Sequence, residues 1–178
     1  MPTKTKASTR KLPAKKDAAD QLEDFMIDAM KDMYWAEKNI LKEIPKMIKN
    51  STSAKLKDAI RNHQGETETQ VKRLEEAFSS IGRKAQAAKC EAMDGLLKEA
   101  KSIMEETEPG AVRDAGIIAA IQKVEHYEIA SYGTIATYAD LLGHKEALRL
   151  FRESLAEEKK ADTDLTKLAK KEINLKAV

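Results

Sequence analysis

The sequence has little of what holds β-sheets or small cross-linked folds together. Its 178 residues include one cysteine, four prolines and seven glycines, and only 4% are aromatic. A single cysteine excludes an intrachain disulfide framework and suits a reducing compartment, so we predict a cytoplasmic protein. Few glycines, prolines and aromatic residues, together with 35% charged residues, favour long helices over sheets. The composition therefore predicts an all-α fold.

Long apolar runs and a strong net charge are also missing. The longest small or apolar run, Ala115 to Ile121, is far shorter than the roughly 20 residues that span a bilayer, so no membrane segment is predicted. The net charge is +2, which gives no global attraction to nucleic acid. Residues 1–16 are a local exception, since they are basic and contain no acid. We predict a flexible basic arm over residues 1–19 that permits weak, salt-sensitive contacts with nucleic-acid phosphates.

Apolar residues recur every three or four positions in four long segments, as in helices that bury one face. The predicted helices are A from about Asp20, B over about Ala54 to Ile81, C over about Val112 to Leu142, and D over about Lys145 to Lys171. Pro45 should kink helix A or end its straight part, because proline removes a backbone hydrogen bond. Ser53 is placed to cap helix B, and Gly82 and Gly143 to end helices B and C. The predicted inward stripes include Leu22 and Phe25 in helix A and Leu148 and Leu155 in helix D.

The connection between helices B and C is too long for a simple turn. Turns in helical bundles have roughly two to eight residues, whereas this stretch runs from Gly82 to Pro109 and contains its own short helix over about Glu91 to Thr107. Two short-linked antiparallel pairs joined by one long crossover predict a ferritin-like four-helix bundle over residues 20–172. Residues 173–178 are then a C-terminal tail.

Polar groups interrupt the apolar stripes of all four long helices. An unpaired carboxylate costs several kcal/mol to desolvate unless it takes up a proton, so acids converging on one core call for a shared counter-charge. The candidate metal ligands are Glu37 in helix A, His63 and Glu66 in B, Glu125 and Glu128 in C, and Glu158 and Asp162 in D. The candidates to support these ligands by hydrogen bonding are Gln70, His126 and Tyr132.

The chemistry of this set points to a pair of metal ions. Carboxylates can bridge two cations or bind one, and imidazole completes the coordination. Two divalent ions carry four positive charges, which about four carboxylates neutralise. We predict a dinuclear iron site, with manganese as the alternative metal. Any one of these acids taken alone is more often a border residue that reaches water or pairs with lysine, so the prediction depends on their conjunction.

Five stretches resemble the YciE/YciF ferritin-like family of bacterial stress proteins over about residues 20–169. These stretches begin at Tyr34 (YWAEKNILK), Glu66 (ETETQVKRLE), Lys89 (KCEAMDGL), Lys123 (KVEHYEIASYGT) and Glu157 (EEKKAD). The resemblance implies a four-helix bundle with a crossover helix, a homodimer, a di-iron centre and an association with general stress. Members of this family are often called ferroxidases.

Two helices depart from the related rubrerythrin-like ligand pattern, in which helices B and D each carry Glu-x-x-His. The residues three after Glu66 and Glu158 are Thr69 and Ala161, and neither replaces a histidine ligand. His63 and Asp162 are the expected substitutes.

Our leading hypothesis is a ferroxidase that oxidises Fe(II) with dioxygen or peroxide. Glu37 and Glu158 would be terminal or chelating ligands, and Glu66 would bridge the two ions with Glu125 or Glu128. The alternatives are a non-enzymatic stress or structural protein, in which metal only stabilises the fold, and a DNA-protecting protein that uses its basic arm.

Overall fold

The computed structural model describes residues 12–16 and 18–178. Most of the predicted basic arm, residues 1–11 and 17, lies outside the described residues. The described chain is helical and contains no strand, which confirms the all-α prediction. Its helices are α1 (Leu22–Asn50), α2 (Ala54–Ser80), α3 (Glu91–Glu106), α4 (Ala111–Leu141), α5 (Lys145–Leu168), a π-helical segment (Ala169–Ile173) and the short α6 (Asn174–Lys176). None of the helices in residues 12–16 and 18–178 is both long enough and apolar enough to cross a membrane.

Local signals set the ends of the helices as the sequence predicts. The Ser53 side chain accepts a hydrogen bond from the Leu56 amide at the start of α2. Gly82 and Gly143 follow α2 and α4 with φ of +70° and +77°, a left-handed conformation that glycine adopts without steric cost. These caps produce two short connections, α1 to α2 and α4 to α5, and leave the long crossover between them with α3 inside it.

Helix α1 differs from its predicted form at its N-terminal end. Pro45 lies within α1, which continues past it to Asn50. Leu22 and Phe25 are 37% and 53% exposed, against the prediction that both face inward. They lie in the first turn, before the buried stripe begins at Met26, and the Phe25 ring packs against Tyr138 at 6.0 Å between centroids.

Helix α5 buries smaller residues than predicted. Leu148 and Leu155 are only half-buried, whereas Ala147, Leu150 and Ser154 are buried. Small side chains allow α5 to approach its neighbours closely, and this sets the buried face about one residue away from the leucine stripe. The helical path also extends past the predicted end at Lys171 into α6.

The four long helices form a ring of neighbours. Helix α1 packs on α2 and α4, and α5 packs on the same two helices; α3 covers α4 and touches α1. Apolar side chains fill the interior in two separate clusters, one containing Ile40, Ile60 and Leu165 and the other containing Met30 and Phe151. Between these clusters along the helices lies a layer of buried polar residues, and the candidate site is in this layer.

Candidate metal centre

Four helices each contribute a buried ionisable side chain to the polar layer. Glu37 of α1, Glu125 and Glu128 of α4, and Glu158 of α5 are fully buried, and His63 of α2 is 7% exposed. Helical spacing explains this convergence, because each residue lies three or four positions from a buried residue on its own helix. One ligand atom from each of His63, Glu125, Glu128 and Glu158 lies within 4.8 Å of the others. The charge of Glu37 raises the pKa of Glu128, so Glu37 borders the same group.

Neighbouring side chains hold several of these groups in place. The Tyr132 hydroxyl donates to Glu37 Oε1, and the Gln70 amide donates to Glu158 Oε1. His63 Nε2 lies 3.5 Å from Glu125 Oε1. Two of the three residues predicted to support the ligands, Gln70 and Tyr132, are therefore in direct contact with them.

The Arg73–Glu157 ion pair is a supporting feature that the sequence reasoning missed. Arg73 donates to Glu157 Oε1 at 2.8 Å, and the Gln70 amide donates to Glu157 Oε2 at 3.1 Å. Glu157 thus fixes the amide that also holds Glu158. The available signal was the spacing of Arg73, three residues after Gln70, which places both on the same side of α2.

A Tyr132→Phe variant tests whether the hydroxyl positions Glu37. Without this donor Glu37 Oε1 would be buried and unpaired, and we expect the metal-free protein to lose roughly 1–3 kcal/mol of unfolding free energy. Urea denaturation of the metal-free chain measures the loss. Tyr138→Phe is the matched control, since Tyr138 lies on the same helix and its hydroxyl has no side-chain partner in the described residues. Equal losses in both variants would contradict the positioning role.

Burial dominates the electrostatics of the layer. It raises the pKa of Glu37, Glu125 and Glu128 well above the ordinary glutamate value of 4.5, because an apolar interior disfavours the ionised form. Neighbouring carboxylates raise each of these pKa values further; the Glu158 charge acts on all three. The metal-free layer therefore holds its protons to a higher pH than an isolated glutamate does.

The hydrogen bonding of the layer is incomplete without a cation. Both carboxylate oxygens of Glu125 and Glu128, one oxygen each of Glu37 and Glu158, and His63 Nδ1 are buried without a hydrogen-bond partner. Buried polar atoms in proteins are nearly always paired, so a group of unpaired acceptors this dense is a strong departure. Carboxylate oxygens and imidazole nitrogen are the donors that iron, manganese and zinc accept. The residues fit a metal, and this buried His/Glu cluster can hold one.

The three remaining predicted residues lie at the edge of the layer or outside it. Glu66 is half-buried and lines a cavity together with His63 and Glu125. Asp162 is half-buried and accepts a hydrogen bond from the Gln122 amide at 2.8 Å. His126 is exposed and approaches Asp162 Oδ1 at 3.3 Å, away from the four-residue cluster. The roles of Glu66 and Asp162 as ligands, and of His126 as support, stay predictions.

Comparisons with known proteins identify relatives along almost the whole chain. Residues 21–178 match the family described as domain of unknown function DUF892. Protein YciF of Escherichia coli K12 is 45% identical over 157 residues, which cover 88% of this chain and 95% of that protein.

Two solved structures have the same fold. The crystal structure of the E. coli stress protein YciF matches with a TM-score of 0.84 and 43% identity, covering 88% of this chain and 99% of that one. YcfI from Rhodopseudomonas palustris, for which a structural role has been suggested, matches with a TM-score of 0.83 and 39% identity, covering 86% and 98%. The chain belongs to the DUF892 family and is a YciF-like protein, which confirms the family resemblance.

Proposed function

We propose that this DUF892 protein is a ferritin-like four-helix bundle that binds two iron ions in its polar layer and oxidises Fe(II) with dioxygen or peroxide during stress. One observation carries the proposal. Fully buried carboxylates from α1, α4 and α5 meet a histidine from α2, and most of their ligand atoms have no hydrogen-bond partner. A purely structural core has no reason to accumulate such groups, because each unpaired buried carboxylate destabilises the fold.

The charge of the layer supports a pair of divalent ions. Glu37, Glu125, Glu128 and Glu158 carry four negative charges when ionised, equal to the charge of two Fe(II) ions. In this proposal Glu37, Glu125, Glu128 and Glu158 would hold the two ions through their carboxylate oxygens. His63 would add a nitrogen ligand.

Glu66 and Asp162 would add carboxylate ligands from the edge of the layer. Manganese suits the same donors.

The chain's own contribution is to position the ligands and to exchange protons for metal. Bound Fe(II) supplies the electrons that reduce dioxygen or peroxide. The Tyr132 hydroxyl holds one carboxylate oxygen of Glu37, and the Gln70 amide holds one carboxylate oxygen of Glu158. The other oxygen of each carboxylate is unpaired. Because burial keeps protons on Glu125 and Glu128, metal binding must displace those protons.

An anaerobic Fe(II) titration of the full chain, followed by admission of oxygen, tests this function. We expect two ions bound per chain and growth of ferric absorbance when oxygen enters. A Glu125→Ala variant should lose at least one ion and most of the oxidation. Glu68→Ala is the matched control, an exposed glutamate of α2 that makes no side-chain hydrogen bond or ion pair within the described residues. Absence of saturable binding, or wild-type oxidation by Glu125→Ala, would refute the assignment. Glu66→Ala, measured in the same way, tests the proposed ligand role of Glu66.

A non-enzymatic role is the second candidate, favoured by the structural role suggested for the R. palustris relative. It predicts that Fe(II) or Mn(II) raises the melting temperature without any oxygen-dependent turnover. The same titration separates the two functions, because only the first requires ferric absorbance to develop after oxygen is admitted.

Three further properties are part of the proposal. The chain forms a homodimer, which sedimentation equilibrium would measure. It works in the cytoplasm, as its single cysteine suggests. The basic arm binds nucleic acid only weakly, and an unchanged DNA mobility at low salt would exclude a DNA-protecting role.

A further inference from the structure

A cavity of about 200 Å³ between α2 and α5 reaches the edge of the polar layer. Its walls are mainly apolar and come from α2, α4 and α5. The apolar lining residues are Ala59, Ile60, Ile121, Ala161, Leu165 and Leu168. An apolar cavity of about 150 Å³ is large enough to hold benzene, so this one accommodates a slightly larger molecule and excludes a peptide.

The inner end of the cavity carries unused hydrogen-bond acceptors. His63 and Glu125 line it, and both are buried. His63 Nδ1 and both carboxylate oxygens of Glu125 have no partner in the described residues. A hydroxyl group that entered the cavity could donate to one of these atoms, which a hydrocarbon cannot do.

The rim of the cavity disfavours an anionic ligand. Lys160 is paired with Asp164 at 2.9 Å and Lys55 with Glu172 at 2.5 Å, so neither ammonium group is free to bind a carboxylate or phosphate. Glu66, also on the lining, makes no ion pair or hydrogen bond within the described residues and adds negative charge.

We propose that this cavity binds a small neutral organic molecule with one hydroxyl group, about the size of phenol, and holds it beside the metal centre. The walls bury its apolar body, and in the metal-free protein the hydroxyl points towards His63 and Glu125. The role of this molecule as a second substrate of the centre rests on the proposed function. Its binding does not, because the walls and the acceptors belong to the chain itself.

Phenol binding to the full chain tests the proposal, with the protein measured both as purified and after treatment with a chelator. NMR would follow the methyl signals of Ile60 and Ile121 during the titration. We expect saturable shifts, with phenol binding more tightly than toluene, which lacks the hydroxyl, and than benzoate, which is anionic. Equal affinity for toluene would refute the hydroxyl contact, and equal affinity for benzoate would refute the choice of a neutral ligand.

Filling the cavity should abolish the binding. Ala161→Leu places a larger side chain in the cavity wall and is expected to weaken phenol binding by at least about tenfold. Ala59→Leu, on the opposite wall, serves as a second variant if the first does not fold. The matched control is Ala156→Leu, an exposed position of α5 away from the cavity. Wild-type affinity in both filled variants, or no saturation in the unmodified chain, would overturn the proposal. Fe(II) titration of Ala161→Leu separates the two hypotheses, because loss of phenol binding with intact iron binding concerns the cavity alone.

Discussion

A Glu128→Gln variant is expected to be more stable than the unmodified protein when metal-free, and to bind metal poorly. Glu128 is fully buried, and neither of its carboxylate oxygens has a hydrogen-bond partner. Burial and the charges of Glu37 and Glu158 raise its pKa. Glutamine has the same shape, carries no charge and can donate a hydrogen bond to an adjacent carboxylate. It therefore removes a source of repulsion that otherwise only a bound proton or a cation relieves.

The expected gain is roughly 1–3 kcal/mol in the unfolding free energy of the metal-free protein at pH 8, the usual scale for one buried polar group. With saturating metal the unmodified protein should be the more stable of the two. Stabilisation by a bound metal grows with the affinity for that metal, and the variant has lost a ligand. Chemical denaturation with and without Mn(II) measures both effects. Glu68→Gln is the control for removing a surface carboxylate. A metal-free variant less stable than wild type would mean that Glu128 is held by contacts of its own and is structural.

Helical phase was sufficient to predict the centre of the polar layer. Glu125 and Glu128 lie between the buried Ile121 and Tyr132 on one line of α4, and all four are buried. Glu37 follows the same rule on α1. These positions were predictable because a helix turns about 100° per residue, so a residue three or four positions from two buried neighbours has nowhere else to point.

Helical phase did not predict which residues are buried at the edges of a helix's buried stripe. Glu66 and Asp162 have correct spacing to His63 and Glu158, yet both are half-buried. A buried stripe has finite width, and its edges depend on how closely the next helix approaches. That distance depends on residues in other helices, which one helix's periodicity does not contain. Gln122 illustrates the point. It lies in α4, and its side-chain amide donates a hydrogen bond of 2.8 Å to Asp162 in α5.

Small buried residues explain why α5 buries a different face from the predicted one. The prediction for α5 followed its leucines, whereas the structure buries Ala147 and Ser154. Alanine and serine contribute little hydrophobic signal, but they allow two helices to approach and so determine which face is inward. Long-range pairs such as Arg73 with Glu157 are equally invisible to periodicity, because they join helices that are distant in sequence.

The metal-free protein is expected to lose stability as the pH rises from about 5 to 8. Glu37, Glu125 and Glu128 have pKa values raised well above 4.5 in the folded state, chiefly by burial. Above pH 4.5 the unfolded chain releases these protons while the folded chain keeps them. Folding then takes up protons, so a rising pH favours the unfolded state until the raised pKa values are passed. Each extra proton bound by the native state contributes a slope of about 1.4 kcal/mol per pH unit.

Surface acids change the stability in the opposite direction, and they do so at lower pH. Hydrogen bonds to lysines lower the pKa of Asp94 and Asp164 below the ordinary value of 3.8, so their contribution is lost only when the pH falls into the acid range. The fall in stability above pH 5 therefore reports chiefly on the buried layer, with a contribution from Asp32, whose pKa is also raised by burial and by the Asp28 charge. Urea midpoints across this range measure it, and a Glu37→Gln/Glu128→Gln double variant should flatten the slope. Bound metal should reverse the sign of this pH dependence, because cations compete with protons for the same oxygens and bind more tightly as the pH rises. A metal-free stability that rises between pH 5 and 8 would show that the buried carboxyls are already ionised and balanced by charges within the protein, and the need for a metal would disappear with it.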